Sequence, residues 1–91
     1  MPDIDFEGLQ TVNHPLKRPL LVVSAAKGSV CCGYISLEAL NRNGDAAAIV
    51  RGVENHEQML TATIKFVSDA AAEFGVEVGM TGKEALERFS Q

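Results

Sequence analysis

The side chains best suited to chemistry in this 91-residue chain are two adjacent cysteines, Cys31 and Cys32. A cysteine becomes a nucleophile when a base or a positive field lowers its pKa and solvent reaches its sulfur. Successive side chains of a strand point to opposite faces, so this pair predicts one thiol in the core and the other at a cleft or an interface. The alternative is that they are small buried hydrophobic residues, because free cysteine is among the most buried residue types.

His56 is the third candidate for catalysis, and it lies at the start of a predicted helix. The helix dipole disfavours a charged imidazole at that position, and a neutral imidazole is a potential base. The alternative is an ordinary solvated residue of the first helical turn. The catalytic candidates are therefore Cys31, Cys32 and His56, and the enzymatic and non-enzymatic interpretations both stand at this point.

The ligand-binding candidates are Arg51, Gly52 and Asn55, which lie between a predicted strand and that helix. In α/β sheets, ligands often bind beyond the carboxyl ends of strands and near helix N-termini. Arg51 and nearby backbone amides would there hold a carboxylate or a phosphate. The alternative is a capped helix with Arg51 in a surface ion pair.

Composition argues against several other classes of function. The chain carries 8 basic and 12 acidic residues, for a net charge of −4, and the basic residues are scattered. Nucleic-acid binding and attachment to an anionic membrane both need clustered positive charge, so neither is expected. The two cysteines and two histidines lack metal-ligand spacing, and we expect neither a metal nor a cofactor.

The chain shows no sign of export or of membrane insertion. No apolar stretch approaches the ~20 residues that span a bilayer, and the N-terminus is acidic where a signal peptide is basic. We therefore expect a cytoplasmic location, in which the cysteines are free thiols.

Short apolar runs predict a mixed sheet of about four strands. The runs span residues 4–6, 20–26, 30–35 and 45–53. The second and third are apolar on both faces, which is typical of central strands. Lys27 and Gly28 between them predict a tight hairpin turn in which Gly28 adopts a positive φ.

Three helices are expected to pack on this sheet, giving an α/β fold of the α+β type. Ser36 and Gly44 delimit a short helix over Leu37–Asn43. Apolar residues at helical spacing predict a long amphipathic helix over residues 56–74, with Asn55 as its N-cap. Thr81 and Glu84 form a capping box that opens a last short helix.

The order of motifs along the chain resembles the YunC-like family of small bacterial and archaeal domains of unknown function. The matching segments are K-G-x-x-x-C-G-Y from Lys27, A-A-I-V-x-G-V from Ala47 and G-x-T-G-x-E-A-L from Gly79. The resemblance implies a compact α/β fold and no particular substrate or catalytic residue. We expect a single domain over residues 1–91, in which an N-terminal strand and a proline loop (1–19) precede a family-like core (20–89).

The composition also predicts a self-associating interaction or assembly domain, most simply a homodimer. A small core without Trp, and with only four Phe and one Tyr, gains stability by burying apolar surface against a second copy. Phe66 supports this hypothesis because it lies at the edge of the apolar stripe of the predicted long helix. The alternative is a small enzyme or ligand-binding protein with a cleft near Cys32, Arg51 and His56.

Overall fold

Five strands form one mixed sheet in the computed structural model, which describes residues 9–17 and 19–90. In sheet order, the strands are β1 (Gln10–His14), β2 (Leu20–Ser24), β3 (Ser29–Cys31), β4 (Ala47–Ile49) and β5 (Phe66–Val67). The helices among the described residues are α1 (Leu37–Asn43), α2 (His56–Thr61), α3 (Asp69–Ala72) and α4 (Gly82–Phe89). The class is α+β, as expected.

The sheet has five strands where about four were predicted, and both differences lie at its edges. The strand expected over residues 4–6 lies outside the described residues. β1 extends to His14, into a segment expected to be a loop, and β5 lies within the segment expected to be a long helix. β2 and β3 occupy central positions, as their two-sided apolar character predicted.

Strand direction changes between β3 and β4. β1, β2 and β3 form an antiparallel meander, whereas β3 and β4 are parallel and β5 is again antiparallel to β4. The parallel pair needs a crossover, and α1 supplies it. Ser36 caps α1 by accepting a hydrogen bond from the Ala39 amide, and Gly44 ends it with a φ of 76°, so the helix has the predicted bounds.

One face of the sheet carries the main core. The residues buried on this face include Leu21, Val23, Val30 and Ala48 of the strands and Val50, which directly follows β4. α2 and α4 pack over them, and α2 and α4 are so close that a Cβ on Gly82 would overlap the Met59 carbonyl. This close approach lets a chain without Trp fill a dense core.

The predicted long helix over residues 56–74 is wrong, because the segment forms α2, β5 and α3. The chain leaves the helix at Ala62, whose backbone is extended. Ile64 then donates to the Met80 carbonyl (2.8 Å), and Lys65 donates to the Ile49 carbonyl (2.8 Å). β-Branched residues in this stretch have low helix propensity, so these tertiary hydrogen bonds prevail over the helical spacing of its apolar residues.

The predicted role of Gly28 is also wrong, although the hairpin between β2 and β3 is present. Gly28 is not among the glycines with positive φ. Glycine is required there because a Cβ would overlap the Phe89 ring at the end of α4. The turn is held to this helix end, since the Lys27 amide donates to the Phe89 carbonyl at 2.9 Å.

Candidate functional site

A pocket of about 380 Å³ lies where β3 and β4 end. These strands are parallel, so their carboxyl ends meet at one edge of the sheet, where antiparallel β2 begins. We call this cavity the Arg51 pocket. Its lining residues all flank those three strand ends or follow from them: Pro19, Cys32, Gly33, Tyr34, Arg51, Gly52 and Val53.

Arg51 carries the only positive charge among the described residues that line this pocket. Its side chain lies beside Gly33. A Cβ added to this glycine would lie 3.4 Å from the Arg51 Cγ. Its guanidinium carbon lies 5.0 Å from the centre of the Phe66 ring, in a cation–π contact. The Phe66 ring thus positions the guanidinium of an arginine that lines the pocket.

No ion pair with Arg51 occurs within residues 9–17 and 19–90, so a surface ion pair is not its role there. Arg42 provides the contrast, because its guanidinium is paired with the Glu38 carboxylate at 2.7 Å. An arginine whose charge is not neutralised by a neighbouring carboxylate can still bind an anion from solution. Its planar fork of N–H donors matches a carboxylate or a phosphate.

Cys32 lines the Arg51 pocket, whereas Cys31 does not. Cys32 belongs to the main core, and its Sγ accepts a hydrogen bond from the Leu21 amide at 3.3 Å. Cys31 is also buried, and in β3 it pairs with Val22 and Ile49. Burial, with smaller effects from Cys32 and Asp45, raises the pKa of the Cys31 thiol to about 12. Cys31 is therefore protonated at neutral pH and is a poor nucleophile.

The structure separates His56 and Asn55 from this pocket. The His56 Nε2 lies 2.8 Å from the Val12 carbonyl oxygen, so the imidazole ties α2 to β1. Asn55 caps α2 by accepting a hydrogen bond from the Gln58 amide at 2.8 Å. Gly52 does line the pocket, and its φ of 74° favours glycine. The structure thus brings together Cys32, Arg51 and Gly52 of the predicted site residues.

A second cavity of about 220 Å³ adjoins the Arg51 pocket. Gly33 and Arg51 line both cavities. We call it the second cavity, and its exposed lining is polar and apolar in about equal parts. Its other lining residues are Ile35, Ser36, Leu37, Ile49 and Phe66.

Sequence reasoning missed Pro19, Tyr34 and Val53 as lining residues, and it missed Phe66 as the partner of Arg51. The parallel direction of β3 and β4 is the signal that identifies Tyr34 and Val53, since each lies just beyond a strand end. Nothing local in the sequence places Phe66 beside Arg51, because that contact depends on the strand β5. Within the described part of the chain, no three metal-ligating side chains cluster.

Comparisons with known proteins find relatives that have no stated activity. A family model described as a domain of unknown function (DUF1805) matches residues 31–89. The Uncharacterized protein YunC of Bacillus subtilis (strain 168) is 35% identical over 80 residues, which cover 84% of this chain and 78% of that protein.

A crystal structure described as a protein of unknown function, TA1206 from Thermoplasma acidophilum, superposes with a TM-score of 0.78. The sequences are 25% identical, and the match covers 90% of this chain and 93% of the other. The similarity supports the α+β architecture across almost the whole length of both chains.

Proposed function

We propose that this chain, which belongs to the DUF1805 family of domains of unknown function, binds a small carboxylate-bearing molecule in the Arg51 pocket. The YunC-like family predicted from the motifs is confirmed by the matches to the family model and to the Bacillus protein. The observation that carries the proposal is a guanidinium held at a cavity of about 380 Å³ by contacts other than a carboxylate.

The position of the pocket supports a ligand site. Open α/β sheets bind ligands beyond the carboxyl ends of their strands, and the Arg51 pocket lies at the ends of the parallel pair β3 and β4. A volume of about 380 Å³ is within the ordinary range of small-molecule sites. The remaining lining combines apolar side chains with a few polar groups, which is the usual composition of such a site.

The charge of the pocket supports a monoanion. One guanidinium compensates one negative charge, and its two parallel N–H donors match the two oxygens of a carboxylate. A dianion such as a phosphate monoester would leave one charge without a counter-charge among the described lining residues. We therefore favour a carboxylate over a phosphate.

The experiment that tests this function is an NMR titration of the whole chain with butyrate and with butyramide. These two probes share a hydrocarbon chain, and only butyrate carries a charge. We expect butyrate to shift the amide signals of Gly33, Tyr34, Gly52 and Val53, and butyramide to shift them at least tenfold less at the same concentration.

Arg51→Gln removes the charge of the pocket, and Arg42→Gln is the matched control because Arg42 is exposed and already paired with Glu38. We expect the butyrate response to disappear in the first variant and to persist in the second. Equal responses to butyrate and butyramide, or a butyrate response that survives Arg51→Gln, would contradict the proposal.

A second candidate function, self-association as a homodimer, is favoured by the outer edge of β1. Every residue of β1 is exposed, and no described strand pairs with its outer side. The Ala25 amide donates to the Gly28 carbonyl, and the Cys32 amide donates to the Leu21 carbonyl. The odd-numbered residues of β2 therefore direct their backbone N–H and C=O groups towards β3. The backbone groups of the even-numbered residues of β2 point the other way, towards β1.

Val12 pairs with Val22, an even-numbered residue of β2, so the backbone groups of Val12 point towards β2. Because this direction alternates along a strand, the backbone groups of Thr11 and Asn13 point outward, away from the sheet. An antiparallel pairing of two β1 strands about Val12 would place Thr11 opposite the partner subunit's Asn13. Both outward-facing residues of each copy would then be hydrogen-bonded, and the two sheets would become continuous.

Light scattering coupled to size-exclusion chromatography tests this second function. We expect the mass of two chains at high micromolar concentration. Asn13→Pro removes an outward N–H that β2 does not use, and it should give the mass of one chain, whereas Asn13→Ala should leave the dimer intact. A single-chain mass for the unmodified protein would reject the homodimer.

A cytoplasmic location is part of the proposal. It is supported by two buried free thiols, which a reducing compartment preserves. None of the described helices has the length and apolar character needed to cross a bilayer.

A further inference from the structure

One row of apolar side chains crosses all five strands on the face of the sheet opposite the main core. Cross-strand pairing links its members in sheet order: Val12, Val22, Cys31, Ile49 and Phe66. Residues directly opposite each other on neighbouring strands point to the same face, so these side chains form a continuous line. The row is therefore a feature of the whole sheet and not of one strand pair.

The side chains at the two ends of this row are more exposed than those in its middle. Cys31 and Ile49 in the middle are 4% and 2% exposed, whereas Phe66 and Val12 at the ends are 37% and 46% exposed. Phe66 is in contact with the Arg51 guanidinium. Val12 is the most exposed residue of the row, and it leaves apolar surface exposed at the outer edge of β1.

β1 has none of the features by which natural edge strands usually prevent pairing with another chain. Such strands are protected by lysine and other charged side chains, by proline or by a bulge. The sequence of β1, QTVNH, contains no lysine, arginine, acidic residue or proline, and its register with β2 runs without a bulge. Two copies can therefore pair along this strand without opposing like charges.

We propose that Val12 lies on the two-fold axis of the homodimer and that its side chain fixes the register in which the two β1 strands pair. In this register Val12 is opposite the partner subunit's Val12, and their backbone groups point away from each other. Side chains approach most closely in pairs of this type, whose Cα atoms lie ~4.5 Å apart. The apolar rows of the two copies then meet in one row. This inference rests on the homodimer proposed above, and it adds the side-chain contact that selects one register.

Other antiparallel registers are less favourable. A shift of two residues keeps the same face of the strand but places Val12 opposite the partner's Gln10 or the partner's His14, which are polar. It also leaves fewer residues of β1 paired with β1, because the strand ends at His14. Pro15 follows directly and has no N–H to donate, so pairing does not extend in that direction. Pairing about Val12 uses the whole strand and buries its apolar side chain.

Charge substitutions at Val12 test this register. A residue on the two-fold axis is opposite its own copy, so Val12→Lys and Val12→Glu each bring two like charges together. Each should raise the Kd of the dimer by about tenfold or more, as measured by analytical ultracentrifugation. An equal mixture of the two variants pairs Lys with Glu. With one variant isotopically labelled, native mass spectrometry should find the mixed dimer in more than the statistical half of all dimers.

Thr11→Lys and Thr11→Glu are the matched controls. Thr11 is exposed on the same strand, but in this register it is opposite the partner's Asn13 and not its own copy. Each control should raise the dimer Kd much less than the corresponding change at Val12, and the mixture of the two should contain the mixed dimer near the statistical half. Circular dichroism of all four variants should match that of the unmodified chain, because both positions are exposed.

The outcomes separate this inference from the homodimer on which it rests. If the unmodified chain has the mass of one chain at high micromolar concentration, the homodimer fails and this inference fails with it. If the unmodified chain is a dimer but Val12→Lys and Thr11→Lys raise the Kd equally, only the register about Val12 is overturned. A statistical mixture of dimers from the Val12→Lys and Val12→Glu chains would overturn that register as well.

Discussion

The two ends of the parallel strands β3 and β4 differ in how completely they are filled. At the end where the strands begin, which we call the closed end, Gly28 lies against the Phe89 ring and the Ser24 and Ser29 hydroxyls are hydrogen-bonded at 2.9 Å. At the end where they finish, which we call the open end, two cavities meet at Arg51. Packing thus stabilises one end of the strands and leaves the other end available for a ligand.

Ser68 shows how polar groups at the closed end are satisfied. Its hydroxyl donates to the Asp45 carbonyl (2.7 Å) and accepts from the Ala47 amide (2.9 Å) and the Ala71 amide (3.2 Å). Among the described residues, no buried side-chain nitrogen or oxygen atom lacks a hydrogen-bond partner. The comparison therefore predicts that substitutions at the closed end change stability and that substitutions at the open end change binding.

The largest expected effect on stability is that of Phe89→Ala. Phe89 is fully buried and fills the space above Gly28, so its truncation should lower the free energy of unfolding by ~3–5 kcal/mol. Phe74→Ala is the matched control, because Phe74 is an aromatic residue of the same size that is 37% exposed and packs edge-on against the Phe89 ring. Urea denaturation measures both variants, and equal losses would show that the closed end is not specially packed.

Ser68→Ala is expected to lower the free energy of unfolding by less, about 1–3 kcal/mol, because it leaves two buried amides, of Ala47 and Ala71, without their acceptor. Ser36→Ala removes the exposed N-cap of α1 and should lower the free energy of unfolding by about 1 kcal/mol. Thermal or urea unfolding compares the two. A smaller loss for Ser68→Ala than for Ser36→Ala would contradict the role assigned to the Ser68 hydroxyl.

The two adjacent cysteines show the same difference, because both are buried but only Cys32 lines the Arg51 pocket, whereas Cys31 lines neither cavity. Burial raises the pKa of the Cys31 thiol from 9.0 to about 12. The contribution of this thiol to stability is therefore fully present below pH 9. It falls between pH 9 and 12, by on the order of 1 kcal/mol per pH unit, since only the unfolded chain then releases the proton.

Urea unfolding at pH 8 and pH 10.5 checks this dependence in the unmodified chain and in Cys31→Ala. The stability difference between the two proteins should shrink at the higher pH, because the alanine variant lacks the titrating group. A difference that stays constant over this range would rule out the raised pKa.

Arg51→Gln has the smallest expected effect on stability, within about 0.5 kcal/mol, although it should abolish binding of short carboxylates. Its guanidinium contacts an exposed ring and no carboxylate among the described residues, so little folding energy depends on its charge. Denaturation of this variant beside the butyrate titration measures both quantities. A loss of more than about 2 kcal/mol in the free energy of unfolding would show that Arg51 stabilises the fold, and would contradict the role assigned to it here.

Local sequence signals were enough to predict the capped helices. Ser36 and Gly44 set the bounds of α1, and Thr81 with Glu84 forms the capping box of α4. These signals are sufficient because each cap is formed within one helical turn. The break after α2 could not be predicted in this way, since it depends on the hydrogen bond from the Lys65 amide to the Ile49 carbonyl, sixteen residues earlier.

The candidate site was predictable in part for the same reason. Cys32, Arg51 and Gly52 follow strands whose apolar character is evident in the sequence, and the rule for strand ends places them together. His56 was expected beside them but bonds to the Val12 carbonyl, a contact across 44 residues of sequence that no local pattern indicates. The contact of Phe66 with Arg51 required the strand β5, which the helical spacing concealed.

The most direct test of the central claim is to map the backbone amide shifts of the whole chain during one titration with butyrate. The difference between the two ends predicts shifts concentrated at the open end, in Gly33, Tyr34, Gly52 and Val53. It predicts no shifts at the closed end, in Gly28, Ser29 or Ala47. Shifts of similar size at both ends, or confined to the closed end, would contradict the claim that the open end is the ligand site.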